Sequence, residues 1–451
     1  MIPKFTDGYF SVDSEHGFLP IHEPLSQLPT NFLNLQNILD TLSNDLMNTE
    51  NDLLLEKIST LQNYLEDIKL IDDKLLLGAL YRGYCFLASG YLLYPSYVEF
   101  CRTGQYGLGR ERLPINIAQP LIYLAETLDV YPFLEYSYSY SLGNYVKRDK
   151  TKGLDYENLS MANHFSGTVD ETGFIMVHVD INQHTPDLIK YSDLLLETYN
   201  VENLNNILLV LKRMNESRRK MWKASRWEHY NDFRVFIMGI KGNTRIFPNG
   251  VIYEPETEPR YYRGQSGSQD TIIPFLDNFF RVCDYYPKNE LTEYLMDMRS
   301  YRPKPFRDIL DWIAKNNSGF IDRLLSMDTD GDICSLLFQI YKQIYEFRNG
   351  HWQFVQKYIM STTKYPVATG GTPITTWLPN QIVATLQAMR RVLNEAEKYH
   401  HYDKNLWLHY EEDFSNMIKL LEEQIKILNS EVEYRPNEVF SLNSQFKQSD
   451  N

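Results

Sequence analysis

The chain has 451 residues, with 45 Lys and Arg against 59 Asp and Glu, a formal charge of −14. So acidic a chain is a poor general binder of nucleic acid or of an anionic membrane surface, because both need basic charge. Hydrophobic residues make up 43% and aromatics 14%, enough for a sizeable core, and 22 Gly and 20 Pro exclude a low-complexity chain.

From the N-terminus, residues 1–7 lack a basic start followed by an apolar stretch, so no signal peptide is expected. Leu recurs at helix-like spacing over residues 33–70. The most apolar stretch, Leu75 to Tyr94, is interrupted by Arg82 and reads as a core helix within 75–100, not a membrane span. Leu113-Pro114-Ile115-Asn116 opens a third helix to about Leu128, and Pro132 starts a fourth. Residues 147–171 are polar and Gly-containing and read as a linker. Phe174 to Ile181 alternates and is β-branched, which on propensity is a strand. Helices follow near 186–198, 201–225, 271–282, 290–299, 305–326, 331–360 and 379–428. The expected architecture is all-α: a small N-terminal helical domain (1–150), a linker (151–170), a large helical domain (171–430) and a polar tail (431–451). Cys85, Cys101, Cys283 and Cys334 form no Cys-x-x-Cys pair, which fits a reducing, cytoplasmic setting.

Several motifs bear on chemistry. Gly264-Gln265-Ser266-Gly267-Ser268 looks like a nucleophile elbow but lacks the closing Gly, and Asp328-Thr329-Asp330-Gly331-Asp332 looks like a calcium loop with a misplaced Gly and no closing Glu. Both read as turns. His178-Val179-Asp180 has the His-x-Asp spacing of a non-haem iron triad, with His164, His184 or His229 as third ligand, but that chemistry usually sits in a β-barrel. Leu337, Ile344, His351 and Tyr358 stand seven apart and share one helix face, so a histidine points into an apolar core. A satisfied core histidine is the ordinary reading, but a lone imidazole without a nearby carboxylate is also how haem iron is held. Arg348, one turn earlier, can face a propionate. Ala368-Thr369-Gly370-Gly371-Thr372-Pro373 is a hydroxyl-rich loop that reads equally as a turn or a ligand contact.

Taken together, stretches in order along most of the chain resemble the indoleamine 2,3-dioxygenase family. They are His16-Gly17-Phe18-Leu19-Pro20, Leu113 to Ala118, Asp155-Tyr156-Glu157-Asn158, Gly173-Phe174, Arg234 to Asn243, Tyr262 to Gln269, Arg348-Asn349-Gly350-His351 and Ala368 to Thr372. The resemblance implies an all-α fold with haem b in the large domain, and O₂-dependent opening of the indole 2,3-bond. It implies His351 as proximal iron ligand and Arg234 as partner of the substrate carboxylate. Phe174 and Tyr136 would line the distal pocket, Ser266 and Gly267 the haem edge, and Thr372 would close over the substrate. Arg348 and Asp277 would make polar contacts at the haem edge. Two pocket positions depart from many members: His178 stands where Ser is common and His229 where Phe is common. The stretch between Tyr358 and the Gly-Gly turn is also short. The resemblance replaces the strand over 174–181 by a helix, since Phe174 and His178, four apart, then share a face.

Three functions follow: a haem dioxygenase acting on L-tryptophan or a related indole, a haem protein doing other oxidative chemistry on an indole amino acid, or a haem-binding sensor without turnover. The expected partners are haem b, O₂ and a small indole substrate, with no nucleic acid, membrane or obligate protein partner.

Overall fold

In a computed structural model of the chain, the apolar stretch from Leu75 to Tyr94 forms the middle of a long helix, Lys74–Thr103. The structure describes residues 1–288, 290–360, 367–371, 374–396 and 404–431. Asp73 caps the long helix by accepting from the Leu75 N–H, and Gly104, at φ +76°, ends it in the left-handed region. Arg82 is buried inside this helix without a carboxylate partner among the described residues. Its guanidinium donates instead to Asn163 Oδ1 at 2.7 Å and to the Gly143 carbonyl at 2.7 Å, which is how a buried cation is kept tolerable. Among the described residues, no helix is long and apolar enough to cross a membrane.

The leucine-rich region 33–70 is three helices, Leu33–Met47, Leu53–Thr60 and Leu65–Ile68. The first packs on the long helix, as does Ile115–Leu128. After Pro132 comes only a wide turn, Tyr136–Tyr140, held by Glu135, whose carboxylate accepts from the N–H groups of Ser137 and Ser139 at 2.6 and 2.8 Å. The stretch read as a linker contains a short strand, Leu159–Met161, paired antiparallel with Tyr145–Lys147.

The C-terminal helices pack around Asp332–Phe354, which lies between Val201–Arg219 and Ile374–Ala396. Val169–Asn182 and Thr185–Thr198 lean on Val201–Arg219 from the other side. The helix read over 305–326 is two, Lys304–Asn316 and Phe320–Ser326, broken at Gly319 with φ +67°. The one read over 379–428 corresponds to Ile374–Ala396 and Lys404–Glu431, and the tail from 432 lies outside the described residues.

The few strands are short and serve as ties. Leu113 pairs in parallel with Tyr253, and the hairpin of Phe5–Thr6 with Ser11–Val12 packs on helix 304–316. Phe18 sits edge-on to Phe275 and Phe306, at 5.8 and 5.3 Å between ring centres. Burying such a ring contributes about 1.5–3 kcal/mol. Gly17 makes this possible: a Cβ there would meet Thr185 Oγ1 at 2.2 Å, and the same hydroxyl accepts from the Phe18 N–H at 2.9 Å. One contiguous core runs from Tyr9 to Leu421, so the N-terminal helices and the C-terminal ones share it.

Candidate active site

A cavity of about 1240 Å³, part of it open to solvent, lies between helices 169–182 and 332–354 and is closed by the segments around 265–270 and 368–369. Its walls include Phe174, Tyr230, Phe347, Phe354, Tyr358 and Ile359.

Helix 332–354 delivers the histidine. Its start is fixed by Asp328, whose carboxylate accepts from the N–H groups of Gly331, Ile333 and Cys334 at 3.1, 3.2 and 2.8 Å. The apparent calcium loop is thus a helix cap. Leu337, Ile340, Tyr341 and Ile344 bury one face, and His351 continues it into the cavity. The chain then widens into a turn of π geometry, Val355–Met360, a distortion that often marks functional sites. Neither ring nitrogen of His351 bonds to a described residue. Burial, with lesser contributions from His178 and Arg218, pushes its pKa down to about 4, so the ring is neutral and offers a lone pair.

Phe174 and His178 project together from helix 169–182, their rings 5.9 Å apart, and both line the cavity. This is the segment whose alternation reads as a strand. Ile175, Met176, Val177, Val179 and Ile181 are all buried, so the helix shows no single polar face, and the amphipathic period that would identify it is missing. Thr168 caps it by accepting from the Glu171 N–H. Asp180 points elsewhere, pairing with Lys220 at 2.8 Å. Among the described residues, no three His, Cys, Asp or Glu side chains gather to hold a metal ion.

Ser266 and Gly267 line the cavity on a short 3-10 turn, Gly267–Gln269, in which Ser266 and Gln269 form a reciprocal capping box. The apparent nucleophile elbow is therefore a turn at the ligand wall.

A second cavity of about 530 Å³ continues behind His351, sharing Gly267, Ser268, Asp270, Phe347 and His351 with the first. Here Arg348 is ion-paired with Asp277, which also accepts from the Tyr286 hydroxyl, and the side chains of Arg348 and Asp277 are 4% and 1% exposed. Thr385 Oγ1 accepts from the same guanidinium. The buried Gln381 amide lines this cavity with neither polar atom partnered among the described residues. Removing one partner of a buried ion pair costs about 3–5 kcal/mol, because the other charge stays buried. Asp277→Ala is thus expected to lower the urea midpoint by an equivalent of about 3–5 kcal/mol. The double replacement Asp277→Leu with Arg348→Met should recover most of that. A single variant as stable as the parent would contradict the pairing.

The other residues singled out in the sequence are less uniformly placed. Arg234 is fully buried but does not line the cavity: its guanidinium donates to the Tyr106 hydroxyl at 2.8 Å and to the Val367 carbonyl at 3.0 Å. Among the described residues its Nε has no partner and no carboxylate is ion-paired with it. Tyr136 stands behind His178, not in the wall, with its hydroxyl 3.2 Å from His178 Nδ1. His229 is outside the cavity, half exposed and paired with Asp232 at 3.1 Å, because the short 3-10 turn Trp227–His229 presents it to solvent; the adjacent Tyr230 takes the wall position instead. Thr372 lies outside the described residues, while Ala368 and Thr369 of the same loop line the cavity.

Two charged residues of the site were not picked out from the sequence. Arg218 is buried in the cavity wall with its Nε on Asn215 and no ion pair among the described residues. It lies flat over Gly350, where a Cβ would come within 1.7 Å of its Nη1. Its position was legible: Leu204, Leu211 and Arg218 are seven apart, so an arginine sits on the buried stripe. Asp270, which lines both cavities, carries no such signal.

The sequence profile of the family described as indoleamine 2,3-dioxygenase matches residues 7–372. An indoleamine 2,3-dioxygenase of Saccharomyces cerevisiae is 24% identical over 387 residues, covering 78% of this chain and 79% of the yeast protein. Indoleamine 2,3-dioxygenase 1 of Rattus norvegicus is 24% identical over 368 residues, covering 79% and 85%. A 6-hydroxytryptophan 2,3-dioxygenase of Fusarium equiseti is 24% identical over 372 residues, covering 78% and 84%.

Proposed function

The chain belongs to the indoleamine 2,3-dioxygenase family of haem-dependent oxidoreductases, and from that premise we propose that it opens the indole 2,3-bond of L-tryptophan, or a close relative, with O₂ to give an N-formylkynurenine-type product. The observation that carries this reading is the neutral imidazole of His351, without a partner among the described residues, in an aromatic-walled cavity. The residues present fit haem b: His351 would hold the iron, Ser266 and Gly267 would flank the macrocycle edge, and Arg218 would supply a cation for its carboxylates, whereas Arg348 is already neutralised by Asp277. Haem bound there supplies the iron that activates dioxygen.

The chain's own residues bind and orient the substrate. Phe174 and Tyr230 offer aromatic faces to an indole ring. Arg234 holds a buried charge without a counter-ion among the described residues, which a substrate carboxylate would balance if the guanidinium turned from Tyr106 and Val367. Thr372 would close over the amino-acid end. A ring-hydroxylated tryptophan is a second reading, favoured by the polar Asp270, Gln265 and Ser268 in the wall and by the name of the Fusarium relative. Reducing the haem-loaded protein without oxygen, then adding L-tryptophan or 6-hydroxytryptophan with O₂, tests both through the product's absorbance and mass. Haem binding without any product would leave a sensor.

His178 bears on the chemistry at the substrate side. Burial lowers its pKa, against the opposing influence of Asp270, so the ring is neutral. His178→Ala is expected to retain haem and slow turnover by roughly 10- to 1,000-fold, the range of a positioned polar or acid–base group. His178→Ser should recover part of that loss. Equal kcat values for parent, Ala and Ser variants would leave His178 without a catalytic role.

A further inference from the structure

We infer that Asp270 and Tyr136 hold His178 in its Nδ1–H tautomer, so that the ring presents a bare Nε2 lone pair to the indole N–H of the substrate. The inference rests on the dioxygenase reading for the identity of the substrate, but the tautomer itself follows from hydrogen-bond directions. Asp270 Oδ1 accepts from the Ile272 N–H at 2.8 Å, and Oδ2 accepts from Asn182 Nδ2 at 2.8 Å and from the Tyr136 hydroxyl at 2.7 Å. Asn182 is oriented by a second bond from the same nitrogen to the His178 carbonyl at 2.9 Å. The Asp270 carbonyl in turn accepts from Arg302, so the residue is fixed at both ends.

An ionised carboxylate only accepts, and a phenol has a single proton. Tyr136 therefore spends its proton on Asp270, and its oxygen can only accept from whatever else approaches. Asn182 Nδ2 donates to it weakly at 3.5 Å, and His178 Nδ1 approaches more closely, at 3.2 Å. A proton on Nδ1 completes the chain His178 to Tyr136 to Asp270. The other tautomer sets two lone pairs against each other, or takes the Tyr136 proton away from a partly buried carboxylate. Burial and the adjacent Asp270 raise the Tyr136 pKa well above its usual value, which keeps that proton in place. Nε2 is left as the ring nitrogen without a partner among the described residues, on a residue that lines the cavity.

Tyr136 and Asp270 are thus positioning residues. They make the distal histidine an acceptor and not a donor, which selects an indole with a free N–H and disfavours N1-alkylated analogues.

The test uses haem-loaded protein in its diamagnetic ferrous carbon-monoxide form, with ¹⁵N-labelled histidine and His178 assigned by its loss in His178→Gln. The expected spectrum has Nδ1 protonated and Nε2 of pyridine type. Tyr136→Phe and, as an independent variant, Asp270→Asn should each lose that signature, with kcat for L-tryptophan falling about 10- to 100-fold, as for removal of a group that orients a catalytic one. Preference for L-tryptophan over 1-methyltryptophan should shrink in both variants. A protonated Nε2 in the parent, or an unchanged His178 spectrum in both variants, overturns the inference. An Nδ1–H ring in a protein that turns over no indole would overturn the dioxygenase reading and leave the tautomer standing.

Discussion

Replacing His351 by alanine is expected to abolish histidine-ligated haem while leaving the helices intact. The imidazole faces the cavity and bonds to no described side chain or backbone group, so its loss strands no buried donor or acceptor. Helix 332–354 is held by Leu337, Tyr341, Ile344 and Trp352 and by the cap at Asp328, none of which the substitution touches. The far-ultraviolet circular dichroism should therefore match the parent. The visible spectrum after addition of haem should lack the histidine-ligated form, and free imidazole should restore it by entering the space left behind. A variant with full haem and an unchanged histidine-ligated spectrum would remove His351 from the site.

Arg234→Ala should raise the KM for L-tryptophan steeply. Losing a charge-assisted pair whose partner stays buried costs about 2–5 kcal/mol, or roughly 30-fold to several thousand-fold. Part of any loss is structural, because the Tyr106 hydroxyl and the Val367 carbonyl also lose their donor. That part falls equally on every substrate. Indole, which has no carboxylate, isolates it: the ratio of the two effects measures the pairing with substrate. Equal effects on L-tryptophan and indole would make Arg234 a structural residue only. Arg234→Lys keeps the charge but not the planar fork, and should recover only part of the loss.

Much of the fold follows from patterns within single segments. The periodic leucines of 33–47, the apolar run of 74–103 and the stripe Leu337, Ile344, His351 each read correctly because one face of each helix is apolar over several turns. Helix 169–182 resists the same reading because it is buried nearly all round, so its β-branched residues speak louder than its period. The breaks at 48–52 and at Gly319 fall inside stretches whose periodicity continues across them, and local pattern does not mark where the chain must turn to pack.

The site divides in the same way. His351, Phe174, His178, Ser266 and Gly267 are placed by motifs in their own segments, and all five line the cavity. The sequence by itself determined an all-α chain, the helix that carries His351, and the family to which the motifs point, since each of these depends on neighbours a few residues apart. Only the tertiary structure decided which polar groups meet. Tyr136 lies 42 residues from His178 and 134 from Asp270, and no local pattern relates them. Likewise Tyr230, not His229, reaches the wall, because a single 3-10 turn sets which of two adjacent side chains faces inward. A hydrogen bond depends on distances of a few ångströms and on direction, and those are fixed by the packing of whole helices around one core, not by the segments that contribute the atoms.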